Sequence, residues 1–208
     1  MADVSSTTTS SDIGGVILAG GRARRLGGMD KGLLDLCGRP MIVHSMRALA
    51  PQVRPLFISS NRNLERYRAL GHEVIEDHFG AFEGPLAGLW RALEATPTPL
   101  LASLPCDAPL APADFVARLR EHFTPGQALA AIAHDGERLQ PLFGLFSREV
   151  LPGLAAFLQG GGRKVHDWVT SLEPVRVDFS DCAQAFRNVN TPEDLEAIRK
   201  LMGCQTKP

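Results

Sequence analysis

Short apolar runs of strand length alternate with amphipathic segments of helix length along most of this chain. Strands are predicted at 16–18, 56–58, 74–75, 100–104 and 129–133, and helices between them at 40–50, 63–70, 85–95 and 112–123. Repeated strand–helix–strand units set parallel strands side by side and leave helices on both faces of the sheet. The first run, Val16-Ile17-Leu18, is continuous, as is typical of a strand buried on both faces. The pattern predicts an α/β fold, a Rossmann-like three-layer αβα sandwich with a mostly parallel sheet.

The rhythm changes after a turn predicted at Gly136. The segment 139–146 is predicted to be a strand, and its short link to the preceding strand indicates antiparallel pairing. Helices are predicted from about 151 to 160 and over 163–171, and 175–177 is predicted to be an edge strand. The sheet is therefore expected to carry an antiparallel edge element.

The last predicted helix has the clearest start signal in the chain. Thr191 is predicted to cap it, Pro192 takes the first helical position, and Asp194 completes a start that resembles a capping box. Asn188 and Asn190 lie just before this cap, so turn and cap chemistry is one explanation for both.

Length and charge narrow the classes of protein that this chain can belong to. Its 208 residues suit one ordinary domain, or at most two small ones. The 22 basic and 23 acidic side chains give no general attraction to nucleic acid or to an anionic membrane. No apolar run approaches the ~18 residues of a membrane span, and residues 1–12 lack the pattern of a secretory signal. We expect residues 1–12 to be a disordered tail, 13–203 to form a single domain, and neither nucleic acid nor membrane to be a partner.

The cysteines are widely scattered and form no C-x-x-C motif. They are Cys37, Cys106, Cys182 and Cys204. This spacing favours free thiols in a reducing cytosol over a disulfide framework or a zinc site. Cys106 is predicted to be a small buried hydrophobe, because nothing basic lies near it in the sequence.

The first predicted strand runs directly into the segment 18–32, LAGGRARRLGGMDKG. Gly20 and Gly21 allow the backbone to turn sharply and to bring bare amide groups close to a ligand. The cations around this turn are Arg22, Arg24, Arg25 and Lys31. Amides and cations at the carboxyl end of a parallel strand are typical of a polyphosphate cradle. The segment contains neither a Walker A motif nor G-x-G-x-x-G, which argues against a P-loop protein and a dinucleotide oxidoreductase.

Three polar residues follow predicted strands at the points where those strands end: Asn61, Asp77 and Asp107. The carboxyl ends of parallel strands meet at one edge of a sheet, so these side chains should gather beside the glycine-rich turn. Each also has a local explanation, because Asn and Asp are common in turns and helix caps. Since Mg²⁺ typically takes one or two carboxylates plus substrate phosphates, Asp107 is the predicted metal ligand.

Three separated blocks resemble the bacterial molybdenum cofactor guanylyltransferases. The blocks are 18–32, the strand end 104–107 and the segment 188–195, with the glycine-bounded segment 84–88 between the first two. The resemblance extends from about residue 14 to residue 201. It implies transfer of GMP from GTP to the phosphate of Mo-molybdopterin, with release of pyrophosphate.

The resemblance also implies roles for individual residues. The implied GTP-binding residues are Leu18, Ala19, Gly20, Lys31, Asn61, Asp77 and Asp107. Gly21 of the same turn is also a predicted binding residue. Asp107 would also bind Mg²⁺, and Arg25 matches the second basic position of the loop, so it should face the phosphates. Asn188 and Asn190 match a C-terminal N-x-N and would lie near the transfer site or the pterin.

Such a reaction does not require a general base. A phosphate monoester has a second pKa near ~6, so the attacking oxygen is already largely ionised at neutral pH. The reaction instead needs charge cancellation between two anions and alignment for in-line attack. Lys31 and Arg25, together with Mg²⁺ at Asp107, are therefore the predicted catalytic groups.

Within the single domain we expect a nucleotide half at about 13–110 and an acceptor half at about 111–203. Candidate pterin contacts in the acceptor half are Arg138, Gln140, Arg163 and Lys164. Surface solubility is the alternative explanation for each of them. The implied partners are molybdenum cofactor biosynthesis proteins and apo-molybdoenzymes, in transient contact in the cytoplasm.

The sequence is also compatible with other activities on the same fold. Related cytidylyltransferases usually have A-A-G where this chain has Ala19-Gly20-Gly21, which favours guanine over cytosine. One alternative uses another nucleotide and is a cytidylyltransferase for the same pterin. Another uses a different acceptor and is a sugar-phosphate nucleotidyltransferase. A non-catalytic nucleotide-binding regulator is the alternative from a different class.

Overall fold

Strands and helices alternate along the computed structural model, which describes residues 12–19, 22–23, 29–76 and 84–204. The strands are β1 (Ile13–Leu18), β2 (Arg22–Ala23), β3 (Met29–Asp30), β4 (Asp35–Leu36), β5 (Arg39–Pro40), β6 (Leu56–Ser59), β7 (Glu73–Ile75), β8 (Leu100–Pro105), β9 (Ala130–His134), β10 (Leu139–Ser147) and β11 (Val175–Asp178). The helices are α1 (Met41–Leu49), α2 (Leu64–Arg68), α3 (Pro85–Ala95), α4 (Phe115–His122), α5 (Leu151–Gln159), α6 (Val165–Ser171) and α7 (Pro192–Leu201).

Among the described residues, no helix is both long and apolar enough to span a membrane. The tail predicted at 1–12 lies outside the described residues, except for Asp12.

In the described part of the chain, seven strands form the main sheet, in the order β11-β9-β10-β8-β1-β6-β7. Neighbouring strands run parallel except at β10, which is antiparallel to both β8 and β9. The predicted mostly parallel sheet is therefore confirmed, and β10 is its antiparallel element. β10 lies between β8 and β9, and β11 forms the outer edge of the sheet.

Helices cover both faces of the main sheet. On one face, α1 and α4 pack over a core that includes Ile13 and Ile17 of β1. On the other face, α3, α5 and α6 pack over a core that includes Val16 and Leu18. Because successive side chains of a strand point to opposite faces, a strand covered on both sides needs an unbroken apolar run. The predicted three-layer αβα arrangement is confirmed.

The C-terminal helix α7 packs against the hairpin formed by β4 and β5. Leu36 of that hairpin is buried together with Val189 and with Ile198 of α7. Arg199 of α7 also donates a hydrogen bond to the backbone carbonyl of Asp35, at 3.1 Å. This packing brings the segment 188–191 back to the part of the chain that follows β3.

A disulfide between Cys37 and Cys204 ties the β4–β5 hairpin to the residues after α7, with the two Cα atoms 5.5 Å apart. The prediction of free thiols is therefore wrong for this pair, because packing of α7 brings together two cysteines that are 167 residues apart. Cys106 and Cys182 are free thiols. Cys106 is buried, and burial raises the pKa of its thiol well above the ordinary value, as suits a packing residue.

We expect Cys37→Ser to destabilise the oxidised protein. A disulfide across 167 residues restricts the unfolded chain, and the chain-entropy relation puts its largest contribution at about 5 kcal/mol. In urea without reductant, wild type should unfold at a higher concentration than the variant, and dithiothreitol should remove the difference. Cys182→Ser, as the control, should respond to dithiothreitol as wild type does. An unfolding midpoint of wild type that is insensitive to dithiothreitol would contradict the disulfide.

Candidate active site at the carboxyl edge of the sheet

The carboxyl ends of four parallel strands lie side by side at one edge of the main sheet. Leu18, the last residue of β1, is in register with Ser59 of β6 and with Pro105 of β8, and Ser59 is in register with Ile75 of β7. The residues that follow these strand ends therefore share an edge, as predicted for Asn61 and Asp107.

Lys31 and Asp107 form an ion pair at this edge. Lys31 begins a short 3₁₀ helix, Lys31–Leu33, directly after β3, and Asp107 lies two residues beyond the end of β8. The Lys31 Nζ is 3.0 Å from the Asp107 Oδ2, and the side chains are only 14% and 12% exposed. Two of the three predicted catalytic residues are thus in direct contact, although 76 positions separate them.

Asn190 completes this cluster from the C-terminal segment. Its Oδ1 accepts a hydrogen bond from the Lys31 Nζ at 2.6 Å. Its backbone N–H donates to the Asp194 Oδ2 at 2.9 Å, as the N–H of Thr191 does. Asn190 therefore has its backbone in the cap of α7 and its side chain on Lys31, and its predicted place near the transfer site or the pterin stays a prediction.

The predicted capping box of α7 is present and holds Asn190 in place. The Thr191 side chain accepts a hydrogen bond from the Asp194 N–H at 3.1 Å, and the Asp194 carboxylate accepts in return. Backbone hydrogen bonds from Asn190 and Thr191 lower the pKa of Asp194 below its ordinary value. The C-terminal segment thus presents Asn190 to Lys31 from a well-formed helix start.

Other predicted site residues lie at the same edge without joining this cluster. Asn61 is exposed, two residues beyond the end of β6, and the residue that precedes α2 is Asn63, so Asn61 does not cap that helix. Leu18 and Ala19 are buried, and their backbone groups pair with Cys106 and Ser59. Their contact with a nucleotide stays a prediction.

Several predicted residues fall outside the described part of the chain, or outside the cluster. Gly20, Gly21, Arg24, Arg25 and Asp77 lie outside the described residues, so their assignments stay predictions. Asn188 is described and exposed, one residue before the buried Val189. Its predicted contact with the pterin also stays a prediction.

A second network, which was not predicted from the sequence, lies directly beside Lys31. The Asp30 Oδ1 accepts hydrogen bonds from the Tyr67 hydroxyl at 2.5 Å and from the Gly32 N–H at 3.2 Å. The Asp30 Oδ2 accepts one from the Asn63 Nδ2 at 2.9 Å. Burial raises the pKa of the Tyr67 hydroxyl, which keeps it protonated as a donor. The available signals were an acid directly before the loop lysine and the single tyrosine of the chain.

The candidate pterin contacts of the acceptor half differ in exposure. Gln140 is buried, and its Nε2 donates to the Asp135 Oδ2 at 2.5 Å, so surface solubility does not explain it. Gln140 lies near the start of β10. Because β10 runs antiparallel to β8, the start of β10 lies beside the end of β8 that leads to Asp107. Arg138, Arg163 and Lys164 are exposed, which is consistent with surface solubility.

The chemistry of Asp107 is compatible with a magnesium ion that arrives together with a nucleotide, and its role as a metal ligand stays a prediction. The described residues contain no group of three or more His, Cys, Asp or Glu side chains that could hold a metal ion by themselves. Mg²⁺ does not need such a cage, because it keeps several waters and typically binds one or two carboxylates plus substrate phosphates. A carboxylate at a strand end, already paired with a cation, suits that coordination.

The chain is similar to known nucleotidyltransferases over most of its length. It matches the family described as MobA-like NTP transferase domain over residues 15–175. It is 44% identical over 193 residues to a molybdenum cofactor guanylyltransferase from Shewanella sediminis, covering 93% of this chain and 98% of the relative. It is 46% identical over 191 residues to one from Cupriavidus taiwanensis, covering 89% of this chain and 96% of the relative.

A solved structure supports the fold at lower identity. Molybdopterin-guanine dinucleotide biosynthesis protein A from Archaeoglobus fulgidus superposes with a TM-score of 0.76 at 21% identity, covering 92% of this chain and 100% of that one. Together with the carboxyl-edge cluster, these similarities place the chain among the nucleotidyltransferases. The chain belongs to the MobA-like NTP transferase family, together with the molybdenum cofactor guanylyltransferases that its three sequence blocks resemble.

Proposed function

We propose that this protein transfers GMP from GTP to the phosphate of Mo-molybdopterin and releases pyrophosphate, which yields the molybdopterin guanine dinucleotide cofactor. The observation that carries the proposal is the meeting of Lys31, Asp107 and Asn190 at the carboxyl edge of the sheet. These residues come from the nucleotide loop, the end of β8 and the C-terminal segment. They are the positions at which the sequence resembles the guanylyltransferases.

The charges of the cluster suit a transfer between two anions. The acceptor phosphate is largely ionised at neutral pH, so the protein must bring two anions together rather than remove a proton. Lys31 presents a compact ammonium that donates to Asp107 and to Asn190. When triphosphate enters, its oxygens would compete for that ammonium, and Lys31 would then stabilise the negative charge that develops at the phosphates.

Asp107 is the residue that would hold Mg²⁺. When bound there, the metal ion would add positive charge beside the phosphates. Arg25 would add a second cation from the loop, as its position in the sequence block predicts. Asn190 would keep the C-terminal segment in contact with Lys31, so that the acceptor half and the nucleotide loop meet at one point.

A nucleotide panel tests the proposed function. The protein is mixed with Mo-molybdopterin and, in separate reactions, with GTP, CTP or ATP, and pyrophosphate release is measured with and without Mg²⁺. We expect release with GTP and Mg²⁺ when the pterin is present, and activation of an apo-molybdoenzyme by the product. Equal turnover with CTP would overturn the guanine assignment, and turnover of a hexose 1-phosphate would favour the sugar-phosphate alternative.

We also propose that the reaction takes place in the cytoplasm, where GTP is available, and that the product passes to apo-molybdoenzymes through transient contacts. Glutathione and thioredoxin keep cytosolic thiols reduced. The Cys37–Cys204 disulfide would therefore be open to reduction there, and after reduction the packing of α7 would still hold the two cysteines close together.

A further inference from the structure

We propose that Tyr67, acting through Asp30, is a positioning residue that directs the Lys31 ammonium toward Asp107 and the reacting phosphates. The inference rests on the proposed function for its kinetic consequence, but its structural part concerns this chain alone. Asp30 lies within the block 18–32 and Tyr67 lies outside all three blocks, but neither side chain is among those proposed to act on the substrates.

Asp30 controls the backbone from which Lys31 projects. It is the N-cap of the 3₁₀ helix Lys31–Leu33, and its side chain accepts the Gly32 N–H. The Tyr67 hydroxyl donates to the same oxygen, and Asn63 donates to the other one. Both oxygens of the Asp30 carboxylate therefore have donors within the protein.

The donors on Asp30 are neutral, and this affects Lys31. A carboxylate adjacent to a lysine is an obvious competitor for its ammonium. Because Tyr67, Asn63 and a backbone amide hold that carboxylate, the Lys31 Nζ pairs with Asp107 and Asn190 instead. The network thus keeps the cation of the site away from the nearest anion in the sequence.

Tyr67 is well suited to hold a fixed position. Its side chain is fully buried in the core under α1 and α4, although α2 is only five residues long. A Cβ placed on Gly32 would lie 2.6 Å from the Tyr67 hydroxyl oxygen and 3.4 Å from the Cys106 Cβ. The tyrosine therefore packs directly against the backbone beside Lys31, in a space that only glycine leaves open.

The test removes the hydroxyl in Tyr67→Phe and measures steady-state GMP transfer. We expect kcat to fall about tenfold, because the ammonium is less well directed, whereas KM for GTP should change less than threefold. In a Lys31→Met background the same substitution should cost no further activity. Unchanged kcat, or an equal loss in both backgrounds, would overturn the proposal.

A matched control separates positioning from folding. Thr98→Val removes another buried hydroxyl, which donates to the Leu100 carbonyl and accepts the Gly14 N–H at the opposite edge of the sheet. We expect this control to lower the urea midpoint while kcat of the folded protein stays at the wild-type value. A Tyr67→Phe variant that behaves in the same way would make Tyr67 a purely structural residue.

A second measurement is independent of the reaction. The side-chain NMR signal of Lys31, assigned by its loss in Lys31→Met, should move in Tyr67→Phe without added nucleotide, while the signals of the exposed Lys164 and Lys200 stay in place. An unmoved Lys31 signal would overturn the positioning role. Failure of wild type to transfer any nucleotide would overturn the proposed function alone, since the NMR result would still decide the role of Tyr67.

Discussion

Asp107→Asn should reduce the rate of GMP transfer at least about a hundredfold while the fold survives. The substitution keeps the shape of the side chain but removes the charge that pairs with Lys31 at 3.0 Å and would hold Mg²⁺. Pyrophosphate release at saturating GTP, with Mg²⁺ varied, measures the effect. The loss should be larger in kcat than in GTP affinity measured without Mg²⁺, because the neutral side chain no longer competes for the ammonium.

The control for this variant is a paired carboxylate in another part of the protein. The Asp181 Oδ1 lies 2.8 Å from the Arg118 Nη2, far from Lys31 and Asp107 in the sequence. Asp181→Asn removes one charge from an ion pair, as Asp107→Asn does, and should leave turnover within about twofold of wild type. Full activity of Asp107→Asn would show that the carboxylate at the end of β8 has no part in the reaction.

Lys31→Met should lower kcat about a hundredfold and also weaken GTP binding. The variant deprives Asp107 and Asn190 of their shared donor, and it removes the cation that would act on the phosphates. Lys31→Arg should restore little activity, because a planar guanidinium does not replace a compact ammonium between acceptors at 3.0 and 2.6 Å. Steady-state kinetics with GTP varied give both kcat and KM.

Lys200→Met is the matched control for the loss of a lysine. Lys200 is exposed near the end of α7 and is not one of the candidate pterin contacts. We expect its kinetic constants to equal those of wild type. If Lys31→Met retained the wild-type kcat and KM, the ammonium would have to be removed from the proposed mechanism, whatever the other variants show.

Local sequence signals predicted much of the fold because the forces behind them are local. The run Val16-Ile17-Leu18 has to be apolar at every position, since helices cover both faces of β1. The capping box at Thr191 and Asp194 satisfies its own amide groups within one helical turn. The meeting of Asp107 with the nucleotide loop followed from the rule that parallel strands end at one edge.

The features that were missed depend on contacts between distant segments. Nothing near Cys37 or Cys204 in the sequence indicates that α7 returns to the β4–β5 hairpin, so their spacing led to the wrong prediction of free thiols. The partnership of Asp30 with Tyr67 is of the same kind, because a tyrosine in a short helix gives no sign of where its hydroxyl points. Such pairs appear only once the packing is known.

The position of β10 has a consequence for any attempt to divide this protein. β8 has β1 as one neighbour and β10 as the other, so its two hydrogen-bonding edges are paired with a strand that precedes it and a strand that follows it in the sequence. A fragment that stops before β10 would leave an apolar strand with an open edge, which is a template for aggregation. The residues after β8 therefore cannot be exchanged as an independent unit, and recombination between relatives should succeed only at junctions that keep both β1 and β10 paired with β8.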